Sequence, residues 1–260
     1  MARTPDTLLV CGVGDVHGRL DRLAELVAGF EAHLGTPFDL LLQVGDLGAW
    51  PDHDKVDKAT RRHGDAGDFA AWRRDGRAWP RPGLFIKGNH EDFDFLARHA
   101  GAEVLPGLRH LPGAGVFEVG GLRIGGIGGN FSPSDWPREA RNLRDRARRH
   151  YTHDEVGRLA LQRFDVLLTH DAPADAPLRT RQRGYVIPTE GLVDLPYRCG
   201  ANLHLFGHHH QRVVYRRGLV DVHGLAIVGE PGALAAFRYE GKVRVPQYLG
   251  DWPPAPEAAP

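Results

Sequence analysis

The sequence predicts an α/β fold whose functional side chains gather at the carboxyl ends of its strands. Strand-length apolar runs at 8–13, 39–44, 83–86, 123–127, 165–169 and 204–206 each stop abruptly at Gly or a polar residue. An amphipathic helix separates the first two, and five of the six are followed within four residues by Asp or His. Several runs are rich in Val, Leu and Ile without alternation, as in strands covered on both faces.

The elements follow in order. After the first run, Leu20, Leu23, Leu26, Val27 and Phe30 recur at a three/four spacing, so 19–34 is a helix with one apolar face, stopped by Gly35 and Pro37. Strand, helix and strand open a right-handed βαβ unit. Residues 49–82 have little strand character, with a helix expected around 68–77. Residues 130–150 are also irregular and carry Arg138, Arg141, Arg144, Arg146, Arg148 and Arg149 against Glu139 and Asp145. A second helix starts at Thr152, where Thr152 and Glu155 form a capping-box pattern ahead of Val156, Leu159 and Leu161. Past His210, runs at 213–215, 225–228, 234–239 and 243–248 alternate with Gly-containing turns and read as antiparallel hairpins. One domain is expected over 1–250, followed by a disordered Pro/Ala-rich tail over 251–260.

Composition narrows the function. The 260 residues hold 33 Lys plus Arg and 33 Asp plus Glu, a net charge of zero that excludes an overall electrostatic grip on nucleic acid or acidic lipid and leaves only local contacts. Cys11 and Cys199 make no disulfide framework and are expected as buried thiols. No apolar run reaches membrane length and no signal-peptide core precedes Asp15, so no membrane partner and a cytoplasmic location are expected.

The polar blocks carry the chemistry. Asp15 and His17 follow the first run, Asp46 the second, and Asn89, His90 and Glu91 the third. His170 and Asp171 follow the 165–169 run, and His208, His209 and His210 the last. Strand ends of an α/β sheet converge on one site, so these residues are expected around a single centre. Asp, Asn and His without a thiolate pair suit manganese, iron or zinc. Seven or more candidate ligands exceed the needs of one ion. Two divalent metal ions about 3.5–4 Å apart, sharing a carboxylate, fit better. Asp46 stands alone at its strand end, and Gly14, Gly45, Gly88 and Gly207 beside the ligands permit tight turns.

The ordered set Asp15-x-His17, Gly45-Asp46, Gly88-Asn89-His90-Glu91, His170 and Gly207-His208-x-His210 resembles the calcineurin-like metallophosphoesterases across most of the chain. The resemblance implies an α+β sandwich, two packed mixed β-sheets flanked by helices. It implies that Asp15, His17 and His210 hold one metal, that Asn89, His170 and His208 hold the other, and that Asp46 bridges them. A hydroxide bridging the metals would attack phosphorus, and His90 would contact the phosphate and protonate the leaving group. The implied activity is a metal-dependent phosphodiesterase, with manganese first and iron or zinc as the other candidates.

Within that superfamily the chain is similar to the lariat RNA debranching enzymes, through the Gly-rich 123–129 stretch with Phe131 and Asp135, through Gly45-Asp46-Leu47, and through Thr169-His170-Asp171 with Pro173. That likeness implies an RNA or nucleotide phosphoester as substrate and places 130–151 beside it. Substrate-contact candidates are therefore Asn130, Arg138 and Tyr151, together with Glu91 next to His90. The chain departs from those enzymes at Asp15, where they carry Cys, and is expected to lack their extra C-terminal domain. Ala49 stands where many superfamily members place an Asp that orients the catalytic His, which leaves Glu91 as a candidate partner for His90. The phosphate-gripping Arg of the protein phosphatases is absent after Asp46. A phosphomonoesterase or protein phosphatase is the first alternative, and a non-catalytic scaffold the second.

Weaker signals have structural readings. Gly12-x-Gly14-x-x-x-Gly18 misses the dinucleotide-binding turn by one position. Asp221-Val222-His223 repeats the first block inside a hairpin, and His204 is expected to be packed in its strand. His209 is expected to point away from the ligands. His53, His63 and His153, and Arg179, Arg181 and Arg183, are expected at the surface.

Overall fold

A computed structural model describes residues 7–62, 67–179, 192–241 and 244–255; His63, Arg181 and Arg183 lie outside them. In chain order the first half holds β1 (Thr7–Val13), α1 (Leu20–Leu34), β2 (Leu40–Gln43), α2 (Lys58–Arg62), α3 (Phe69–Arg74), β3 (Gly83–Phe85), α4 (Phe93–Arg98), β4 (Glu103–Leu105), β5 (Leu108–His110), β6 (Gly115–Val119) and β7 (Leu122–Ile127). There follow α5 (His153–Leu159), β8 (Val166–Thr169), α6 (Leu195–Cys199), β9 (Leu203–Phe206), β10 (Val213–Arg217), β11 (Val220–Gly224), β12 (Leu234–Glu240) and β13 (Gln247–Trp252).

The strands form two mixed sheets, ordered β13-β12-β1-β2-β3-β5-β4 and β10-β11-β9-β8-β7-β6. β1, β2, β3 and β5 run parallel in the first, and β7, β8, β9 and β11 in the second. Antiparallel strands close the flanks.

Side-chain alternation explains the unbroken apolar runs. Val10, Leu40, Leu42 and Leu84 face the second sheet and pack with Ile124, Val166, Leu168, Leu203 and Leu205. Their neighbours Cys11, Val13 and Leu41 face outward onto the apolar side of α1. Leu167 likewise faces outward, onto α5 and α6. Each central strand is buried on both sides, so neither face needs polar residues. Both cysteines are buried and unpaired.

α1 buries the five residues that the sequence pattern selects and ends at Gly35 with a left-handed φ of 67°. Its N-terminus is capped from a distance: the Asp68 carboxylate accepts the Leu20 and Asp21 N–H groups, both at 2.9 Å. α5 starts after Thr152, whose N–H donates to the Glu155 carboxylate at 3.0 Å, as the capping box predicts. The helix stops at Leu159, however, and Leu161 is exposed.

Two expectations need correction. The run at 225–228 is not a strand; the strand is β11, one step earlier, because Val220–Gly224 pairs with both β9 and β10. Leu225 and Val228 instead bond Phe206 and Asp15, bracing the turns that follow β9 and β1. The Arg-rich segment, expected to be irregular, forms two short 3-10 turns, Ala140–Asn142 and Asp145–Arg149. The tail boundary at 250 falls inside β13: Asp251 pairs with Arg212 at 2.7 Å, and Trp252 stacks on Phe30 with centroids 5.6 Å apart.

Among the described residues, no helix is long and apolar enough to cross a membrane. Trp252→Ala is expected to cost about 2 kcal/mol of stability, less than a fully buried Trp, measured by urea denaturation.

Candidate metal centre

Both sheets contribute to one centre. The ends of β1, β2 and β3 supply Asp15, His17, Asp46, Asn89 and His90 from the first sheet, and the ends of β8 and β9 supply His170, His208 and His210 from the second. Backbone hydrogen bonds tie these turns together. Asp46 O accepts the Val16 and His17 N–H groups at 3.0 and 2.8 Å, and His170 O accepts Gly207 N–H at 3.2 Å. Both Asp15 carboxylate oxygens accept the His208 N–H at 3.1 Å.

Two groups of ligand atoms result. Those of Asp15, His17 and His210 lie within 4.8 Å of one another, and so do those of Asp46, His170 and His208. Asp46 sits between them: its Oδ2 is 3.7 Å from His17 Nε2 and 3.5 Å from His170 Nε2. Asn89 Oδ1 is 2.9 Å from His170 Nε2. All seven residues singled out in the sequence as ligands therefore meet.

The donor set suits cations. His170 Nδ1 donates to the Val44 carbonyl at 2.9 Å, so in a neutral ring the Nε2 lone pair faces the oxygens of Asn89 and Asp46. Lone pairs facing lone pairs need a cation between them. Without a metal a proton fills that need: although burial works to lower it, the Asp46 and Asp15 carboxylates push His170 up to about 10. His208 is held down to about 3, first by burial and then by His170, and so is neutral, the form that ligates. Asp15 and Asp46 stay ionised despite burial, because the surrounding imidazoles hold both below the usual carboxylate range.

The backbone is strained where the ligands are. His17, Asp46, His208 and His210 adopt φ of 47°, 52°, 66° and 55°, and among the described residues only Ala114 and Asp145 otherwise do so without being Gly. Gly88 explains itself by contact, since a Cβ there would lie 2.0 Å from Asp46 Oδ1.

The predicted substrate contacts fare less well. Glu91 is 1% exposed, and its two oxygens accept Leu47 and Ala49 N–H at 2.8 and 2.7 Å. It is a buried strut of the Asp46 turn, pushed up to about 8 by burial and by Asp46, and not the partner of His90. Tyr151 is wholly buried in the core against Phe131 and Trp136. Arg138 pairs with Asp135 at 2.7 Å and bonds the Asn142 carbonyl at 3.0 Å. Asn130 is half-buried and its backbone bonds Arg149 and Tyr151. His209 is buried with its ring 4.9 Å from that of His208; it belongs to neither group around Asp15 and Asp46, but with Asp171 it forms a third group that shares His208.

Sequence reasoning missed Asp57 and Lys87. Asp57 Oδ2 is 2.9 Å from His90 Nδ1, while Oδ1 accepts Thr60 N–H at 2.7 Å and caps α2. Burial works to lower the His90 imidazole, but Asp57 and Asp46 raise it overall, favouring the imidazolium. The cap pattern Asp57-x-x-Thr60 was the available signal. Lys87 is half-buried and donates to the Arg148 and His150 carbonyls at 2.6 and 3.2 Å, pinning the Arg-rich turn beside the Asn89 block.

Comparison with known proteins agrees with this geometry. Residues 8–212 match the profile of the calcineurin-like phosphoesterases. The chain belongs to that family. It is similar to the lariat debranching enzyme of Drosophila melanogaster, 32% identical over 171 residues, which cover 62% of this chain and 32% of that one. The Homo sapiens lariat debranching enzyme is 31% identical over 177 residues, 63% of this chain and 32% of that one. The chain thus spans about a third of the length of these curated relatives. In structure it is similar to GAP50, the anchor in the inner membrane complex of Plasmodium, with TM-score 0.56 at 10% identity over 94% of this chain and 85% of that one. A putative 5′-nucleotidase from Staphylococcus aureus gives 0.50 at 14% identity, over 94% and 53%. At these identities the structural likeness shows the fold alone.

Gly88→Ala is expected to weaken manganese or zinc binding at least about tenfold by displacing Asp46, measured by titration calorimetry. Asp57→Asn is expected to lower the His90 titration midpoint, because it removes a group that favours the imidazolium; proton NMR of the metal-free protein checks the direction.

Proposed function

We propose that the chain is a dinuclear metal-dependent phosphodiesterase acting on RNA or nucleotide phosphoesters. The observation that carries this reading is the position of Asp46, whose Oδ2 lies within 3.7 Å of ligand nitrogens from both groups. A shared carboxylate between two ligand sets is what a pair of divalent ions requires. Asp15, His17 and His210 would hold one ion, Asn89, His170 and His208 the other, with Asp46 common to both and manganese the first candidate. When bound, such ions neutralise phosphoryl charge and make water nucleophilic near neutral pH.

The chain's own residues supply the rest. His90 stands at the edge of the cluster, its ring centroid 6.0 Å from that of His17. Asp57 holds the His90 ring by Nδ1, leaving Nε2 to face substrate and deliver a proton to the departing alkoxide. The same carboxylate stabilises the charged ring before transfer. His90 N–H in turn donates to Asp46 Oδ1 at 2.8 Å, so the acid and the shared ligand are held in one register. The debranching-enzyme relatives support an RNA phosphodiester as substrate.

His90→Ala is expected to lower kcat on an alkyl phosphodiester by about 10²–10⁴-fold in manganese. Bis-nitrophenyl phosphate, whose leaving group needs no acid, is expected to lose far less; equal losses would remove the acid role. A strong preference for nitrophenyl phosphate over its bis ester would overturn the diesterase reading. In Asp57→Asn the alkaline limb of kcat/KM is expected to move to lower pH, as the acid form of His90 is lost sooner.

A further inference from the structure

A cavity of about 700 Å³ shares Asn89 and His90 with the ligand cluster and otherwise draws its lining from elsewhere. Two stretches far apart in sequence contribute cations to it. Lys55, Lys58 and Arg61 come from the α2 region, and Arg146 and Arg149 from the Arg-rich turn. Acidic residues line it too, but most are already engaged. Asp57 is held by His90 and Thr60, and Glu91 by two backbone N–H groups. Asp92 caps α4 through Phe95 N–H, and Asp94 pairs with Arg148 at 2.6 Å. Lys58 and Arg146 are exposed and, among the described residues, have no ion-pair partner.

The turn that carries Arg146 and Arg149, and the Arg61 side chain, are held in place. Lys87 pins the 145–149 turn from below by its two carbonyl bonds, and the Arg61 guanidinium donates to the Asp54 carbonyl at 3.1 Å. A guanidinium fixed in this way loses little freedom on binding an anion. Trp50, Val56 and Phe93 give the same cavity an apolar part, and the buried Trp50 indole N–H has no acceptor. Cations beside an aromatic surface match a nucleotide, which offers a phosphate and a flat base together.

We propose that this cavity is a subsite for a second nucleotide of the substrate, its phosphate between Lys58, Arg61, Arg146 and Arg149 and its base against Trp50, Val56 and Phe93. The proposal rests on the phosphodiesterase reading and deepens it: the group leaving from the His90 side is itself a phosphorylated nucleotide. A phosphodiester with a small neutral leaving group would leave these cations unused.

The test measures binding without catalysis. A fluorescein-labelled oligouridine of about ten nucleotides is titrated with metal-free protein, and anisotropy is followed over a range of salt. Lys58→Gln/Arg146→Gln, at exposed positions, is expected to weaken binding at least about tenfold at low salt and to flatten the slope of log Kd against log salt by about 0.7 per cation removed. Arg22→Gln/Arg238→Gln, which removes equal charge outside the cavity lining, is expected to change neither. Binding by the first variant that stays within about twofold of the parent, or an equal loss in the second, would overturn the subsite. Equal affinity for an inorganic polyphosphate of matched charge would overturn the base contact. Binding that needs Lys58 and Arg146, without any hydrolysis in manganese, would overturn the phosphodiesterase reading alone. Hydrolysis of RNA with binding indifferent to both residues would overturn the subsite alone.

Discussion

Lone pairs crowded into a small buried volume dominate this molecule. Val44 takes the proton of His170 Nδ1, which turns the other nitrogen toward two oxygens that also have nothing to donate. Two buried carboxylates and four imidazoles are thereby gathered at a cost that only positive charge offsets. The unusual features nearby, from left-handed Asp and His residues to glycines pressed against carboxylates, serve to hold this arrangement against its own repulsion.

The two-sheet architecture makes the crowding possible. Parallel strands in each sheet point their carboxyl ends the same way, so turns from both sheets arrive at one place. A core packed between the sheets, with Val10 and Leu42 on one side and Leu168 and Leu205 on the other, fixes their separation. Bonds such as Gly207 N–H to His170 O and Val228 N–H to Asp15 O then set the register of individual turns.

The legible parts of the sequence were those governed by local rules. Doubly covered strands announce themselves as apolar runs, and α1 by its spacing, so the ends of those runs marked where the candidate ligands gather. All seven candidate ligands meet because each sits directly after a strand. The misreadings share another cause: they concern long-range partners. Glu91 lies beside His90 in sequence, yet its oxygens answer backbone groups more than forty residues away. The residue that does reach His90 comes from a segment without periodicity. Tyr151 resembles a contact residue only until the core around Phe131 and Trp136 is seen. Trp252 lies in a composition that reads as tail, but one indole stacked on α1 outweighs its neighbours' lack of pattern.

Asp57 serves two masters with one carboxylate. One oxygen starts a helix of five residues, and the other steadies an imidazole. A helix so short does not persist in water by itself, because its nucleation cost is never recovered along its length. Melting of that single turn would therefore also release the His90 imidazole, so the position of that ring is tied to a local equilibrium outside the ligand cluster.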